Sequence, residues 1–229
     1  MILFILYDNI LKESKKGMII ISNEYKTVKD IGIAEIVEKR SRFIASVRPV
    51  SSEEDALEYL NMLKQKYWDA RHNVYAYIIR ENNIMRYSDD GEPSGTAGVP
   101  VLDILKREEL TDVIVVVTRY FGGILLGTGG LVHAYSKAAK EGIEAAGIER
   151  MVLCREFKIK CDYNMSGKLQ YEIAEFPDVF CGETNYGENV EMQVFVPVDS
   201  EERFEKRIID KTNANAEIIK GEIEYFGEE

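Results

Sequence analysis

The chain has 229 residues, enough for one large domain or two small ones, each able to bury a core. Hydrophobic residues at 45% and charged residues at 30% match a globular protein and exclude fibrous or disordered classes. The net charge of −11 works against non-specific attraction to phosphate polymers or anionic lipid. That charge is uneven. Residues 151–229 hold 9 Lys+Arg and 18 Asp+Glu, which leaves 20 and 22 for residues 1–150. Any polyanion site is therefore expected before residue 150.

Taken in order, Met1 to Tyr7 is apolar but has no basic region before it and no small-residue cleavage site after it. It fails as a signal peptide and is far short of a membrane span, so a cytoplasmic protein with no membrane partner is expected. The polar spacer Lys12–Gly17 follows, and residues 1–17 read as an extension upstream of the usual start at Met18. Ile31 to Val50 predicts two strands, with Lys39, Arg40, Arg42 and Arg48 giving that edge a basic cast. Ser51 and Glu54 form a capping-box pattern that opens a helix, in which Ala56, Leu57, Leu60, Leu63 and Tyr67 recur at helical spacing. Asn73–Arg80 and Ile84–Tyr87 predict a β-hairpin across Glu81-Asn82-Asn83.

Asp89-Asp90-Gly91-Glu92-Pro93 has turn chemistry. Asp89, Asp90 and Glu92 are also oxygen ligands of the kind that holds Mg²⁺, but turn composition alone accounts for them, and no metal is assigned. Gly95 to Pro100 leads into a helix over Val101–Arg107. The β-branched run Val113–Val117 predicts a central strand buried on both faces. It ends at Arg119-Tyr120-Phe121 and passes into Gly122, Gly123, Gly127, Gly129 and Gly130, with Thr128 as the expected N-cap of the next helix.

Strand, glycine turn and helix start are a geometry in which backbone N–H groups point at an anion. Glycines here also serve tight packing, and neither a P-loop nor a dinucleotide fingerprint is present. Both readings stand, and the start near Thr96 could frame the same pocket. The following helix carries Ala134, Ala138, Ala139, Gly142, Ala145 and Ala146, small enough for close approach to a sheet; His133 falls on its polar face. A structural hydrogen bond is expected for His72, beside Arg71. After Gly147 the order strand, helix, strand, strand, helix, strand from Leu153 to Phe226 is the ferredoxin-like βαββαβ arrangement. The three cysteines form no Cys-x-x-Cys pair and read as small buried side chains. No nucleophile elbow, zinc-protease motif or cofactor motif is present, so no catalytic residue and no cofactor are assigned.

Four ordered blocks resemble the YigZ/IMPACT family. They are Lys39–Ile44, Asp69–Asn73 with Ala76-Tyr77, Ser88–Gly98 and Val116–Val132; His133 departs, standing where Lys or Arg is expected. The resemblance implies an α+β protein with residues 18–150 as an N-terminal domain similar to elongation factor G domain IV and a ribosomal small-subunit protein. Residues 151–229 would be the second domain of the bacterial members. It further implies a role in regulating translation through RNA, the ribosome or a translation-factor regulator. The site would comprise Arg119, Tyr120, Gly122, Gly123, Gly127, Thr128, Gly129 and Gly130, joined by Arg71, His72 and Thr96, with the acidic C-terminal domain free for a protein partner. The alternative is an enzyme acting on a phosphorylated small molecule or nucleotide.

Overall fold

The computed structural model describes residues 23–227; the extension expected over residues 1–17 lies outside them. The chain divides into two compact units between Glu149 and Arg150, each a mixed α and β structure on an antiparallel sheet.

The first unit contains β1 (Glu24–Val28), β2 (Gly32–Glu38), β3 (Ser41–Pro49), α1 (Glu53–Lys66), β4 (His72–Ile79), β5 (Ile84–Ser88), α2 (Gly98–Arg107), β6 (Val113–Tyr120) and α3 (Thr128–Ala146). Its sheet runs β2-β3-β6-β4-β5. The strand β6 is central and buried from Val113 to Arg119, because helices cover both faces. On one face Val113, Val115 and Val117 meet α2 and α3; on the other Ile114 and Val116 meet Ala56, Tyr59, Leu60 and Leu63 of α1. The strand β1, which periodicity did not mark, is tied in by Thr111 N–H donating to the Lys26 carbonyl at 2.9 Å.

The small residues of α3 do allow close approach. A Cβ on Gly142 would lie 2.8 Å from the Ala45 methyl, and one on Gly32 would lie 2.4 Å from the Gly142 carbonyl oxygen. Two caps differ from expectation. The cap of α1 is Ser52, whose hydroxyl accepts from Asp55 N–H, while the Asp55 carboxylate accepts from Ser51 N–H. The pattern is thus displaced by one residue from Ser51. The helix α2 begins three residues earlier than expected, for a reason that belongs to the site below.

The second unit contains β7 (Ile148–Cys161), whose first two residues precede the boundary, then α4 (Tyr163–Ala174), β8 (Phe180–Tyr186), β9 (Val190–Pro197), α5 (Glu201–Thr212) and β10 (Glu217–Gly227). The order β10-β7-β9-β8, antiparallel throughout, is that of a split βαβ unit. Its core packs Phe157, Ile159, Val194 and Val196 against Leu169, Ile173, Phe204 and Ile208. Glu172 of α4 ties the two helices together, accepting from Lys211 at 2.8 Å and Arg207 at 2.9 Å. Cys154 and Cys161 are buried, but Cys181 is exposed on β8, the edge strand of the sheet, where Cys181 to Glu183 are all open to solvent.

Candidate functional site

The expected site residues gather at one end of the first sheet, where β6 finishes and β3 and β4 begin; Arg119 stands opposite Phe43 on one side and His72 on the other. Alternation along β6 then separates them. Tyr120 faces the α1 side, whereas Arg119 faces α2 and α3.

Arg119 is only 6% exposed. Its Nη1 donates to Glu92 Oε1 at 2.5 Å, its Nη2 lies 3.4 Å from Ser41 Oγ, and its guanidinium stacks 5.3 Å from the Phe43 ring centroid. The Tyr135 hydroxyl donates to the same Glu92 oxygen at 2.8 Å, and His72 Nε2 lies 3.9 Å from it. Burial, followed by the charge of Glu92 and its hydrogen bond, pushes the Tyr135 hydroxyl far above its ordinary pKa and keeps it a neutral donor. Arg119, expected as a phosphate contact, is thus held within the core by Glu92. The charge of the guanidinium is matched inside the core by Glu92, while its buried Nε has no hydrogen-bond partner among the described residues. His72 holds the structural hydrogen bond expected of it, Nδ1 lying 2.8 Å from the Asp90 carbonyl.

The acidic turn is also engaged internally. Asp89 accepts from Gly95 N–H at 2.8 Å through one oxygen, and from Ala97 and Gly98 N–H at 3.0 and 2.8 Å through the other. It thus fills the N-terminus of α2 with the protein's own carboxylate and starts the helix early. Asp90 accepts from Asn73 N–H at 2.6 Å, and the Thr96 hydroxyl donates to the Pro93 carbonyl at 2.7 Å. Asp89, Asp90 and Glu92 therefore do not converge, and no group of three or more His, Cys, Asp or Glu among the described residues is placed to hold a metal. The start of α2 near Thr96 is not a second anion seat.

The glycine turn is different. Gly122 has a packing role, since a Cβ there would lie 2.0 Å from the Arg40 carbonyl carbon; its N–H donates to Ser41 Oγ at 3.2 Å. Gly123 and Gly127 take positive φ, 82° and 77°. The N-cap of α3 is Gly127, not Thr128, which is already the first helical residue. No side chain caps this helix and no acidic residue lies in its first turn. Gly129 has neither positive φ nor a neighbour within 4 Å of its missing Cβ. The start of α3 is thus exposed at Thr128 and Gly129, and no side-chain hydrogen bond among the described residues caps it.

Around this end stand exposed cations. Lys39 and Arg40 form the β2–β3 turn with positive φ, and Arg71 precedes β4; none of the three has an ion-pair partner among the described residues. Arg42 lies 5.5 Å from the Tyr120 ring centroid and is paired with Glu35. The Tyr120 hydroxyl donates to Asp69 at 2.8 Å. Trp68 is 82% exposed in the same α1–β4 loop, and Phe121 and Leu125 are exposed in the glycine turn. Sequence reasoning did not single out Trp68. Its signal is weak: a lone tryptophan after the last apolar position of a helix, between Tyr67 and Asp69.

Comparison with known proteins covers both units. Residues 39–143 match the model of the Impact N-terminal domain, and residues 159–215 match a domain of unknown function, DUF1949. The chain is 43% identical over 205 residues to the IMPACT family member YvyE of Bacillus subtilis, covering 89% of this chain and 94% of that one. An IMPACT family member of Haemophilus influenzae is 33% identical, with 83% and 93% covered. The Protein IMPACT homolog of Dictyostelium discoideum is 40% identical over 103 residues, 29% of its length. A solved structure titled as a hypothetical protein superposes with a TM-score of 0.56 at 26% identity, over 88% of this chain and 99% of the other. The chain belongs to the IMPACT family.

Proposed function

We propose that this protein is a cytoplasmic regulator of translation that binds RNA, free or on the ribosome, through the β6 end of its first unit. One observation carries the reading. Lys39, Arg40 and Arg71 stand exposed, without ion-pair partners among the described residues, at the β6 end of the sheet, in a chain whose overall charge opposes phosphate. Positive charge kept without internal compensation in so acidic a protein suits a localised polyanion contact. The exposed aromatic side chains at the same end suit RNA better than a bare electrostatic patch does. The proposed kinship of the first unit with elongation factor G domain IV is in keeping with this reading, and the acidic second unit would face a protein partner.

The test is co-sedimentation with ribosomes and binding of labelled RNA across a salt series, with ATP hydrolysis assayed alongside. Three phosphate contacts predict a log–log salt slope of about −2 for single strands. Arg40→Glu with Arg71→Glu should abolish binding and leave the fold intact, because both side chains are exposed. The absence of any RNA or ribosome association at low salt, together with nucleotide turnover, would reject this reading in favour of an enzyme on phosphorylated small molecules.

A further inference from the structure

We infer that the RNA is taken as a single strand, with one base stacked on Trp68 and the neighbouring phosphates at Arg71 and the Lys39–Arg40 turn. This deepens the RNA-binding reading and rests on it. Trp68 is the only tryptophan of the chain and is 82% exposed. A ring of that size in water forfeits the burial that aromatic side chains ordinarily gain. It stands on an ordered loop rather than a loose one. Tyr67 N–H donates to the Leu63 carbonyl at 2.9 Å and Ala70 N–H to the Tyr67 carbonyl at 2.9 Å. Asp69 anchors the loop to β6 by accepting from the Tyr120 hydroxyl.

The surroundings suit a nucleotide. Arg71 follows three residues after Trp68 and is exposed, with no ion pair among the described residues. Of the carboxylates in this part of the unit, Glu35 is ion-paired with Arg42, whereas Asp69 keeps its charge and accepts from the Tyr120 hydroxyl. Every base offers a π face, whereas a duplex hides those faces in its stack. An exposed indole on a hydrogen-bonded loop, at the same sheet end as cations with no ion-pair partner among the described residues, is therefore a single-strand feature, sequence-tolerant and salt-sensitive.

The lone tryptophan reports directly on its own contact. Full-length protein is titrated at low salt with a 12-nucleotide single-stranded oligouridine–adenosine RNA, and with the same sequence annealed to its complement. Binding is read by anisotropy of a label on the RNA and separately by Trp68 emission. Stacking predicts saturable quenching by the single strand and weaker binding of the duplex. Trp68→Ala should lower single-strand affinity about 5- to 150-fold, the span of one base stack, and Trp68→Phe should restore most of it. Thermal melting of Trp68→Ala should match the parent, since the ring is exposed. Single-strand binding by anisotropy with unchanged emission and full affinity in Trp68→Ala overturns the stacking inference and leaves the RNA reading standing. Equal binding of the duplex with equal quenching overturns the single-strand assignment. If neither RNA binds by anisotropy, the RNA reading falls and the inference falls with it.

Discussion

The buried pair between Glu92 and Arg119 offers a sharp test of how the first unit is held together. Their side chains are 4% and 7% exposed, and Glu92 Oε1 also takes the Tyr135 hydroxyl. Glu92→Gln preserves shape and an acceptor oxygen but leaves the guanidinium buried without a counter-charge. Removing one partner of such a pair costs roughly 3–5 kcal/mol, out of a total stability of about 5–15 kcal/mol for a typical domain. Arg119→Met strands the carboxylate and should cost a similar amount. The double variant carries no uncompensated charge, so its cost should stay close to that of either single change. If all three lie near 3 kcal/mol, the coupling is about 3 kcal/mol, since two single costs sum to about 6. Urea unfolding of the full chain followed by circular dichroism is the assay, because Trp68 is too exposed to sense the core. Single variants within about 1 kcal/mol of the parent, or a double variant at the sum of the singles, would refute the pair's role as a coupled unit.

Two glycines of the same turn should respond oppositely. Gly122→Ala must drive a methyl into the Arg40 backbone and should lower the urea midpoint clearly, whereas Gly129→Ala meets open space at ordinary φ and should leave stability unchanged or raise it by up to about 1 kcal/mol. In the second unit, hydrogen bonding from Lys211, then from Arg207, outweighs burial and holds the Glu172 carboxyl below the usual carboxylate range. A depressed folded pKa gives stability that is complete above the unfolded value of about 4.3 and is lost as pH falls through the folded value. Acid melts should therefore show a steeper loss below roughly pH 4 in the parent than in Glu172→Gln. Alkylation with iodoacetamide at pH 8 should mark Cys181, which is exposed, and spare Cys154, whose thiol burial pushes up to about 12; mass spectrometry of the native protein distinguishes them.

Local chemistry in the sequence determined much of this molecule. The unbroken Val113–Val117 run, the small face of α3 and the turn at Glu81–Asn83 each announce a conformation through side-chain shape and period, and the structure contains each of them. The strand β1 escaped because five residues with mixed burial carry too short a pattern to read. The blocks shared with the family hold residues that meet at one sheet end, among them Arg119, His72 and Glu92. Which internal partners each residue has there was decided only by tertiary structure. Arg119 finds its counter-charge 27 positions away, and Asp89 caps a helix by accepting from N–H groups six to nine residues on. Periodicity assigns a side chain to a face, but the depth of that face and the group opposite depend on long-range packing. The same packing that buried Arg119 left Arg71 and Trp68 in water, because a charge goes inside only where an internal neighbour compensates it, as Glu92 does for Arg119.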